Sequence, residues 1–212
     1  LDKAVTQQTD YSYTAKSEDA TILTYFWALN GGDETEKNAG EAFANSGLAD
    51  GVYTVSVYAK DEAGNVSGAT NWTWTVDTTD PAQMKVWGLP ISDEKIVVTN
   101  GFGFAFTASA VDVNALKFHW ATNGVAVADI TTSNFVGQVS EGTNTVSVYA
   151  EDAAGNVCDP VTRTWVVDTI DPTVPSLEGA PLDKAVTQQT DFSYTAKSED
   201  ATILTYVWTL NG

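Results

Sequence analysis

Residues 51–65 read GVYTVSVYAKDEAGN, and this stretch decides the fold. From Tyr53 to Ala59, apolar and polar side chains alternate, so every second residue falls on the same face of an extended chain. The segment from Asp61 to Asn65 combines Asp, Gly and Asn, which are residues that favour tight turns. The stretch therefore predicts a strand with one buried face that ends in a tight turn.

The same pattern returns 91 residues later in the chain. TVSVYAKDEAGNV at 54–66 recurs as TVSVYAEDAAGNV at 145–157, and TWTVDTTDP at 73–81 recurs as TWVVDTIDP at 164–172. Self-similarity at a fixed period is the signature of repeated structural units. We therefore interpret the chain as a series of repeats and not as one large domain.

A closer match lies twice as far apart. Residues 1–31 recur at 182–212 with three substitutions, which sets the period at about 90 residues. We predict repeats at 1–81, 82–172 and 173–212, the last holding only the first part of the pattern. A fragment of this kind cannot close a sheet alone. We expect the polypeptide to continue; the alternative is that another chain supplies the missing strands.

Period-two alternation also marks the other apolar segments of each repeat. The segments around Tyr11, Trp27 and Trp74 carry apolar residues, many of them aromatic, at every second position, and helical periodicity is weak. Several short strands within about 90 residues, each with one apolar face, predict an antiparallel β-sandwich. The expected fold class is all-β.

The strand at 51–65, followed by TWTVDTTDP at 73–81, resembles the bacterial immunoglobulin-like repeats that build stalks of large secreted adhesins. The Y-x-W motif that ends at Trp27 is similar to strand C of such domains, and Tyr53 resembles the tyrosine at the turn into strand F. Asn144 stands at the corresponding position of the second repeat. The resemblance implies tandem immunoglobulin-like sandwiches in a non-catalytic, extracellular protein of the bacterial cell surface. Its implied partners are neighbouring repeats of the same chain.

The charge balance limits the classes of partner. The chain has 28 acidic and 10 basic residues, a net charge of −18. This balance argues against nucleic acids and anionic membranes, which bind basic patches, and leaves divalent cations open. No apolar run approaches the roughly 20 residues that span a bilayer. One Cys and one His argue against a His/Cys zinc site and a His-based catalytic triad, so we expect no enzymatic activity.

Carboxylates are predicted to converge where one repeat meets the next. On the strand order that the resemblance implies, the chain leaves the first repeat through Asp77 and Asp80 and approaches the loops that carry Asp112 and Asp152. Calcium suits such a site because it accepts about six to eight oxygen ligands in flexible geometry. A second site is predicted at the next junction, from Asp168, Asp171, Glu199 and Asp200. The competing interpretation is a solvated acidic surface with Asp residues in turns.

Two other functions stay open. The incomplete repeat at 173–212 is compatible with a self-assembling surface filament or sheath in which copies of the chain exchange strands. A glycan-binding or ligand-binding module is also compatible, because Tyr58 and Tyr149 alternate outward and Trp87 lies near a repeat boundary. Most other aromatic residues alternate onto the predicted core faces.

The single His and the single Cys have structural interpretations. His119 occupies the position held by Phe26 and Val207 in the other repeats, which is typical of a packing position. Cys158 occupies the position of Ser67. We predict that neither residue forms a functional site.

Overall fold

A computed structural model of the chain describes residues 4–89, 98–101, 103–128, 130–180, 188 and 190–210. Within these ranges the chain forms strands, turns and bends without any α-helix, which confirms the predicted all-β class. None of the described residues forms a helix long and apolar enough to cross a membrane.

The first repeat forms two sheets. Its strands are β1 (Ala4–Thr6), β2 (Tyr11–Tyr13), β3 (Leu23–Leu29), β4 (Thr35–Asn38), β5 (Phe43–Asn45), β6 (Gly51–Asp61) and β7 (Thr70–Val76). One sheet has the order β1-β7-β6-β3-β4 and the other pairs β2 with β5. The central pairings are antiparallel, with Trp27 opposite Val57, whereas β1 runs parallel to β7.

The predicted alternation places the core of this repeat. Trp27 and Val55 are fully buried, and the Trp27 indole stacks on the Phe43 ring at 5.4 Å between ring centroids. Tyr11 and Trp74 pack into the same apolar cluster. Burial of large aromatic side chains supplies much of the apolar area that drives folding, so these positions fix which face of each strand points inward.

The second repeat forms a sheet of three strands and a sheet of five. Its strands are β8 (Ala82–Leu89), β9 (Val98–Thr99), β10 (Gly103–Val111), β11 (Lys117–Thr122), β12 (Val125–Ala126), β13 (Asn134–Gln138), β14 (Gly142–Glu151) and β15 (Val161–Val167). The sheet orders are β13-β10-β8 and β12-β11-β14-β15-β9. Asn123 and Gly124 have positive φ and make the two-residue turn between β11 and β12, as expected of an Asn-Gly hairpin.

The turn into the longest strand is closed in two different ways. In the first repeat the Tyr53 hydroxyl donates to the Ala49 carbonyl at 2.9 Å. In the second repeat the fully buried Asn144 donates through Nδ2 to the Ser140 carbonyl at 2.7 Å. Both acceptors lie four residues upstream, so the amide of Asn144 takes the place of the tyrosine hydroxyl.

Residues after 172 add two further strands, β16 (Ser176–Ala180) and β17 (Ser193–Lys197), which pair antiparallel over five residues. Spatially the chain divides into two compact units. The larger holds Leu1–Val86, Thr107–Phe135 and Val146–Thr162; the smaller holds Trp87–Phe106, Val136–Thr145 and Arg163–Gly212. The repeat boundaries at 1–81, 82–172 and 173–212 remain predictions from the sequence.

Candidate cation site

Three carboxylates come together inside the larger compact unit. Asp77 follows β7, Asp112 follows β10 and Asp152 follows β14. Each offers one carboxylate oxygen, and the three oxygens lie within 4.8 Å of one another. Asp77 and Asp152 are each only 3% exposed, and Asp112 is half-buried. The cluster therefore joins the end of the first repeat to two loops of the second.

The turn after β14 holds the Asp152 side chain rigidly. Its Oδ1 accepts hydrogen bonds from the backbone N–H groups of Ala154, Gly155 and Asn156, at 2.7–2.8 Å. Its Oδ2 accepts one from Nδ2 of Asn156, at 2.8 Å. The turn is the D-x-A-G-N pattern of the sequence, so the pattern itself sets the direction of the carboxylate.

Asp77 and Asp112 are connected through a second amide side chain. The Asp77 N–H extends the β1–β7 ladder by donating to the Thr6 carbonyl at 3.0 Å. Asn114 donates its backbone N–H to Asp112 Oδ1 at 2.7 Å and its side-chain amide to Asp77 Oδ2. Asp77 Oδ1 accepts from the Thr79 N–H at 3.1 Å.

Asn156 links the two repeats through hydrogen bonds as well. It is 5% exposed, and its Nδ2 donates both to Asp152 Oδ2 and to the Asp77 carbonyl, the latter at 3.0 Å. Since Asp77 and Asn156 are 79 residues apart in sequence, this contact fixes the linker against the turn of the next repeat.

The local charge is strongly negative. Neither ion pair found among the described residues, His119–Glu151 or Lys197–Glu178, includes a member of the cluster. Calcium binds oxygen at about 2.3–2.6 Å, so two oxygens on one ion are at most about 5 Å apart. The spacing and the carboxylate chemistry of the cluster fit a calcium ion.

The structure does not bring Asp80 into this cluster. Asp80 is exposed, three residues beyond Asp77 in the linker. Asp80 precedes Pro81, where the chain turns into β8. Sequence reasoning grouped the two aspartates because they belong to one linker. Asp80 lines the same pocket as Asp77 and Asp112, but its carboxylate is not one of the three clustered groups.

At the second predicted site, two of the four residues are adjacent. Asp200 Oδ1 accepts hydrogen bonds from the backbone N–H and the hydroxyl of Thr202, at 2.7 and 2.6 Å. The hydroxyl and then the N–H of Thr202 lower the pKa of Asp200, and a side-chain hydrogen bond with Asp168 lowers it further. Asp171 and Glu199 are exposed. Asp168 and Asp200 occupy the positions of Asp77 and Asp112 one repeat later.

The loops of the first repeat hold carboxylates in the same way. Asp19 Oδ1 accepts from the backbone and the hydroxyl of Thr21, both at 2.9 Å. Asp61 accepts from the backbone and the side chain of Asn65, both at 2.7 Å, and the side-chain bond is the main cause that lowers the pKa of Asp61. The orientation of these aspartates is therefore a local property of each repeat.

The linker after each repeat is clamped by an acid that sequence reasoning missed. Asp50 accepts from the N–H and hydroxyl of Thr78, at 2.9 and 2.8 Å, and from the Thr79 hydroxyl at 2.6 Å. At the equivalent position of the second repeat, Glu141 accepts from the Thr169 N–H and hydroxyl, the latter at 2.8 Å. The D-T-x-D-P linker that both repeats share was the sequence signal that could have indicated this clamp.

Cys158 has the structural role that its alignment with Ser67 predicts. Its Sγ accepts from the Ala150 N–H at 3.2 Å, and Ser67 Oγ accepts from the Ala59 N–H at 2.9 Å. The backbone N–H of each residue also donates to the carbonyl of its alanine partner, Cys158 to Ala150 and Ser67 to Ala59. The thiol therefore replaces a hydroxyl in a turn.

The outward aromatic residues pair with each other. Tyr58 stacks on Phe26 at 5.2 Å between ring centroids, and Tyr149 stacks on His119 at 4.8 Å. Such cross-strand pairs stabilise a sheet. In each pair, one face of each ring is covered by the other ring and is not accessible to a ligand. Trp87 is 47% exposed.

The family follows from a comparison with known proteins. Residues 2–78 match the model of the family described as the bacterial Ig-like domain. This part of the chain is a bacterial Ig-like domain. The predicted resemblance is thereby confirmed for the first repeat.

A curated relative and two solved structures resemble the chain more distantly. Chitinase A1 of Niallia circulans is 28% identical over 188 residues, which are 86% of this chain and 27% of the relative. The fibronectin(III)-like modules of Clostridium thermocellum CbhA are 16% identical, with a TM-score of 0.47, covering 78% of this chain and 88% of theirs. SGBP-B of the Bacteroides ovatus mixed-linkage glucan utilization locus, solved with a mixed-linkage heptasaccharide, is 18% identical with a TM-score of 0.31, covering 76% and 43%. The chain thus spans about a quarter of its curated relative.

Proposed function

We propose that the chain is a non-catalytic structural array of Ig-like modules, outside the cell, whose repeats are fastened to each other by calcium. The observation that carries the proposal is the cluster of Asp77, Asp112 and Asp152. Two of these carboxylates are buried and all three lie close together without a basic partner among the described residues. A divalent cation is the simplest group that neutralises such a cluster and uses its oxygens.

The ion would act on the linker. Asp77 belongs to the segment that leaves the first repeat, and Asp112 and Asp152 belong to loops of the second. One ion bound by all three side chains would remove the freedom of the linker to bend about Thr78 and Thr79. The Asp50 clamp holds the same two threonines to the first repeat, so the linker would be fixed from both sides.

The setting outside the cell is supported by composition and by the relative. Acidic proteins of this charge repel one another and stay soluble in a crowded array. The 28% identical relative is named a chitinase, and chitin is a polymer too large to enter a cell intact. We place the chain in such a secreted or surface-attached protein, as a stalk or spacer of the adhesin type.

Calorimetric titration of the full chain with calcium, after treatment with EDTA, tests the proposal directly. We expect binding with close to one strong site per chain, a higher melting temperature with calcium than with EDTA, and weaker binding of magnesium. Solution scattering on the same samples should show a narrower range of conformations with calcium. Asp80→Asn is the matched control, because Asp80 is an exposed linker carboxylate outside the cluster.

Two outcomes would contradict the calcium proposal. If calcium produces no binding heat and no change in melting temperature, the carboxylates are surface and turn charges and the calcium proposal is wrong. If Asp80→Asn abolishes binding, the ligand set that we assign is wrong.

A further inference from the structure

Asn114 connects the second repeat to the linker that leaves the first. Its backbone N–H donates to Oδ1 of Asp112 at 2.7 Å, two residues earlier in the same loop. Its side-chain Nδ2 donates to Oδ2 of Asp77, which lies 37 residues away in sequence. The amide therefore presents an N–H group, the positive end of its dipole, to the carboxylate cluster.

The corresponding residue of the other two repeats is threonine. Thr21 and Thr202 stand at the position of Asn114. The Thr202 hydroxyl donates to Asp200 of its own loop at 2.6 Å, and the Thr21 hydroxyl donates to Asp19 of its own loop at 2.9 Å. The amide of Asn114 instead crosses to the preceding linker. This contact is therefore a property of Asn114 and not of the loop shape that the repeats share.

The hydrogen bonds of the cluster limit the oxygen atoms that are open to a cation. Oδ1 of Asp152 accepts three backbone N–H groups. Because a carboxylate oxygen has two lone pairs, only Oδ2 of Asp152 can bind an ion. Calcium takes about six to eight oxygen ligands, so Asp77, Asp112 and Asp152 alone fall short of that number. The site therefore needs neutral oxygen ligands as well.

The two amides beside the cluster differ in how firmly they are held. Asn156 is 5% exposed, and its Nδ2 donates both to Asp152 Oδ2 and to the Asp77 carbonyl. The Asn114 side chain is half-buried, and within the described part of the chain its one hydrogen bond is the bond to Asp77. Turning over the amide of Asn114 breaks one hydrogen bond, whereas turning over that of Asn156 breaks two.

An amide side chain can serve the site both without and with a cation. Its nitrogen and oxygen are nearly equal in size, so half a turn about the last side-chain bond replaces a donor by an acceptor at the same place. The side-chain carbonyl oxygen of asparagine is an ordinary calcium ligand. Carboxylates alone favour the N–H end of the amide, and a divalent cation among them favours the oxygen end.

We propose that Asn114 changes its role with the cation: it donates to Asp77 without calcium, and it binds calcium through Oδ1. Without the ion, the amide holds the linker to the loop of the next repeat. With the ion, it joins the three aspartates as a neutral ligand. This inference rests on the calcium proposal and adds to it a residue that sets the affinity of the site.

Two substitutions at Asn114 test the two roles. Asn114→Asp removes the donor and keeps an oxygen, so it should melt at a lower temperature in EDTA and bind calcium more tightly in calorimetric titration. Asn114→Ala removes both groups, so it should bind calcium about tenfold more weakly than the wild type. Asn71→Asp is the matched control, because it adds the same charge at an exposed position of β7 outside the cluster. Its calcium affinity should equal that of the wild type.

NMR of the side-chain NH2 groups observes the change directly. When calcium replaces EDTA, the Asn114 NH2 signals should shift and their hydrogens should exchange faster with water, because the bond to Asp77 is broken. The Asn156 NH2 group should stay protected, since it remains bonded to Asp152 and to the Asp77 carbonyl. A residue with only a structural role would not show this difference.

The calcium proposal and this inference fail in different ways. If the wild type gives neither binding heat nor a melting shift with calcium, both are wrong. If the wild type binds calcium and Asn114→Ala keeps the full affinity, only the inference is overturned. A weaker Asn114→Ala whose wild-type NH2 signals do not move with calcium would make Asn114 a positioning residue for Asp77, which also overturns the inference.

Discussion

Replacing Asp112 with Asn should change stability in opposite directions without and with calcium. The substitution keeps the size of the side chain and an oxygen that can accept the Asn114 N–H, which lies at 2.7 Å. It removes one negative charge from the cluster. In EDTA the loss of charge relieves repulsion, whereas in calcium it removes a ligand.

The size of the first effect follows from the distances. Two unit charges 4.8 Å apart, the limit within which the cluster oxygens lie, repel by about 3.5 kcal/mol at an effective dielectric constant of about 20. Asp112 is half-buried, and solvent and salt reduce its interactions with both Asp77 and Asp152. We expect a net stabilisation of about 1–2 kcal/mol in EDTA, or roughly 2–8 °C in melting temperature for a chain of this size.

The second effect has the opposite sign. A ligand at about 100 times its dissociation constant stabilises the folded state by about 2.7 kcal/mol. The wild type should therefore melt several degrees higher in calcium than in EDTA, and Asp112→Asn should lose most of that difference. Scanning calorimetry in both buffers measures the four melting temperatures, with Asp80→Asn as the control that should behave like the wild type.

Two results would refute this reasoning. If Asp112→Asn lowers the melting temperature in EDTA, Asp112 acts mainly as the acceptor that closes its turn and not as a source of repulsion. If the variant keeps the full calcium shift, Asp112 does not bind the ion.

Three other substitutions probe the linker and the turns. The hydroxyl of Thr79, and after it the hydroxyl and backbone N–H of Thr78, lower the pKa of Asp50 below its ordinary value of 3.8. The stability that these hydrogen bonds contribute is fully present above pH 3.8. It is lost as the pH falls from there through the lower pKa of the folded state. Asp50→Asn should therefore show a flatter loss of stability, by urea unfolding, as the pH falls below about 4. Asn144→Ala removes a fully buried amide that donates to the Ser140 and Gly142 carbonyls and should cost about 1–3 kcal/mol in chemical denaturation; a cost near zero would show that water replaces the amide. Cys158→Ser should stay within about 0.5 kcal/mol of the wild type, because Ser67 makes the same bonds, and a larger loss would reveal packing specific to sulfur.

Much of the fold could be predicted because the strands carry their own pattern. Alternation fixed the inward face of β6, and Trp27 and Val55 are fully buried as that pattern requires. The repeated motif also fixed the equivalence of strands in the two repeats. Pattern alone could not predict that Asn144 replaces the tyrosine of the turn, since an amide reaches the same carbonyl with a different side chain.

The candidate site could be predicted in part. Loop order indicated that Asp77, Asp112 and Asp152 approach one another, and the structure places them together. The amides of Asn114 and Asn156 were not predicted, because their role depends on contacts across 37 and 79 residues that no local pattern records. Whether the cluster binds calcium stays a prediction.

Added salt distinguishes two sources of electrostatic repulsion in this chain, the overall negative charge and the carboxylate cluster. A net charge of −18 produces a general repulsion, which any salt screens with a Debye length of about 8 Å at physiological ionic strength. The three cluster oxygens lie within 4.8 Å, well inside that length, and two of their side chains are buried. Added sodium chloride should therefore relieve the surface repulsion but leave the cluster unneutralised, so the stabilisation by calcium should persist in high salt. A calcium effect that sodium chloride reproduces would belong to the surface and not to Asp77, Asp112 and Asp152.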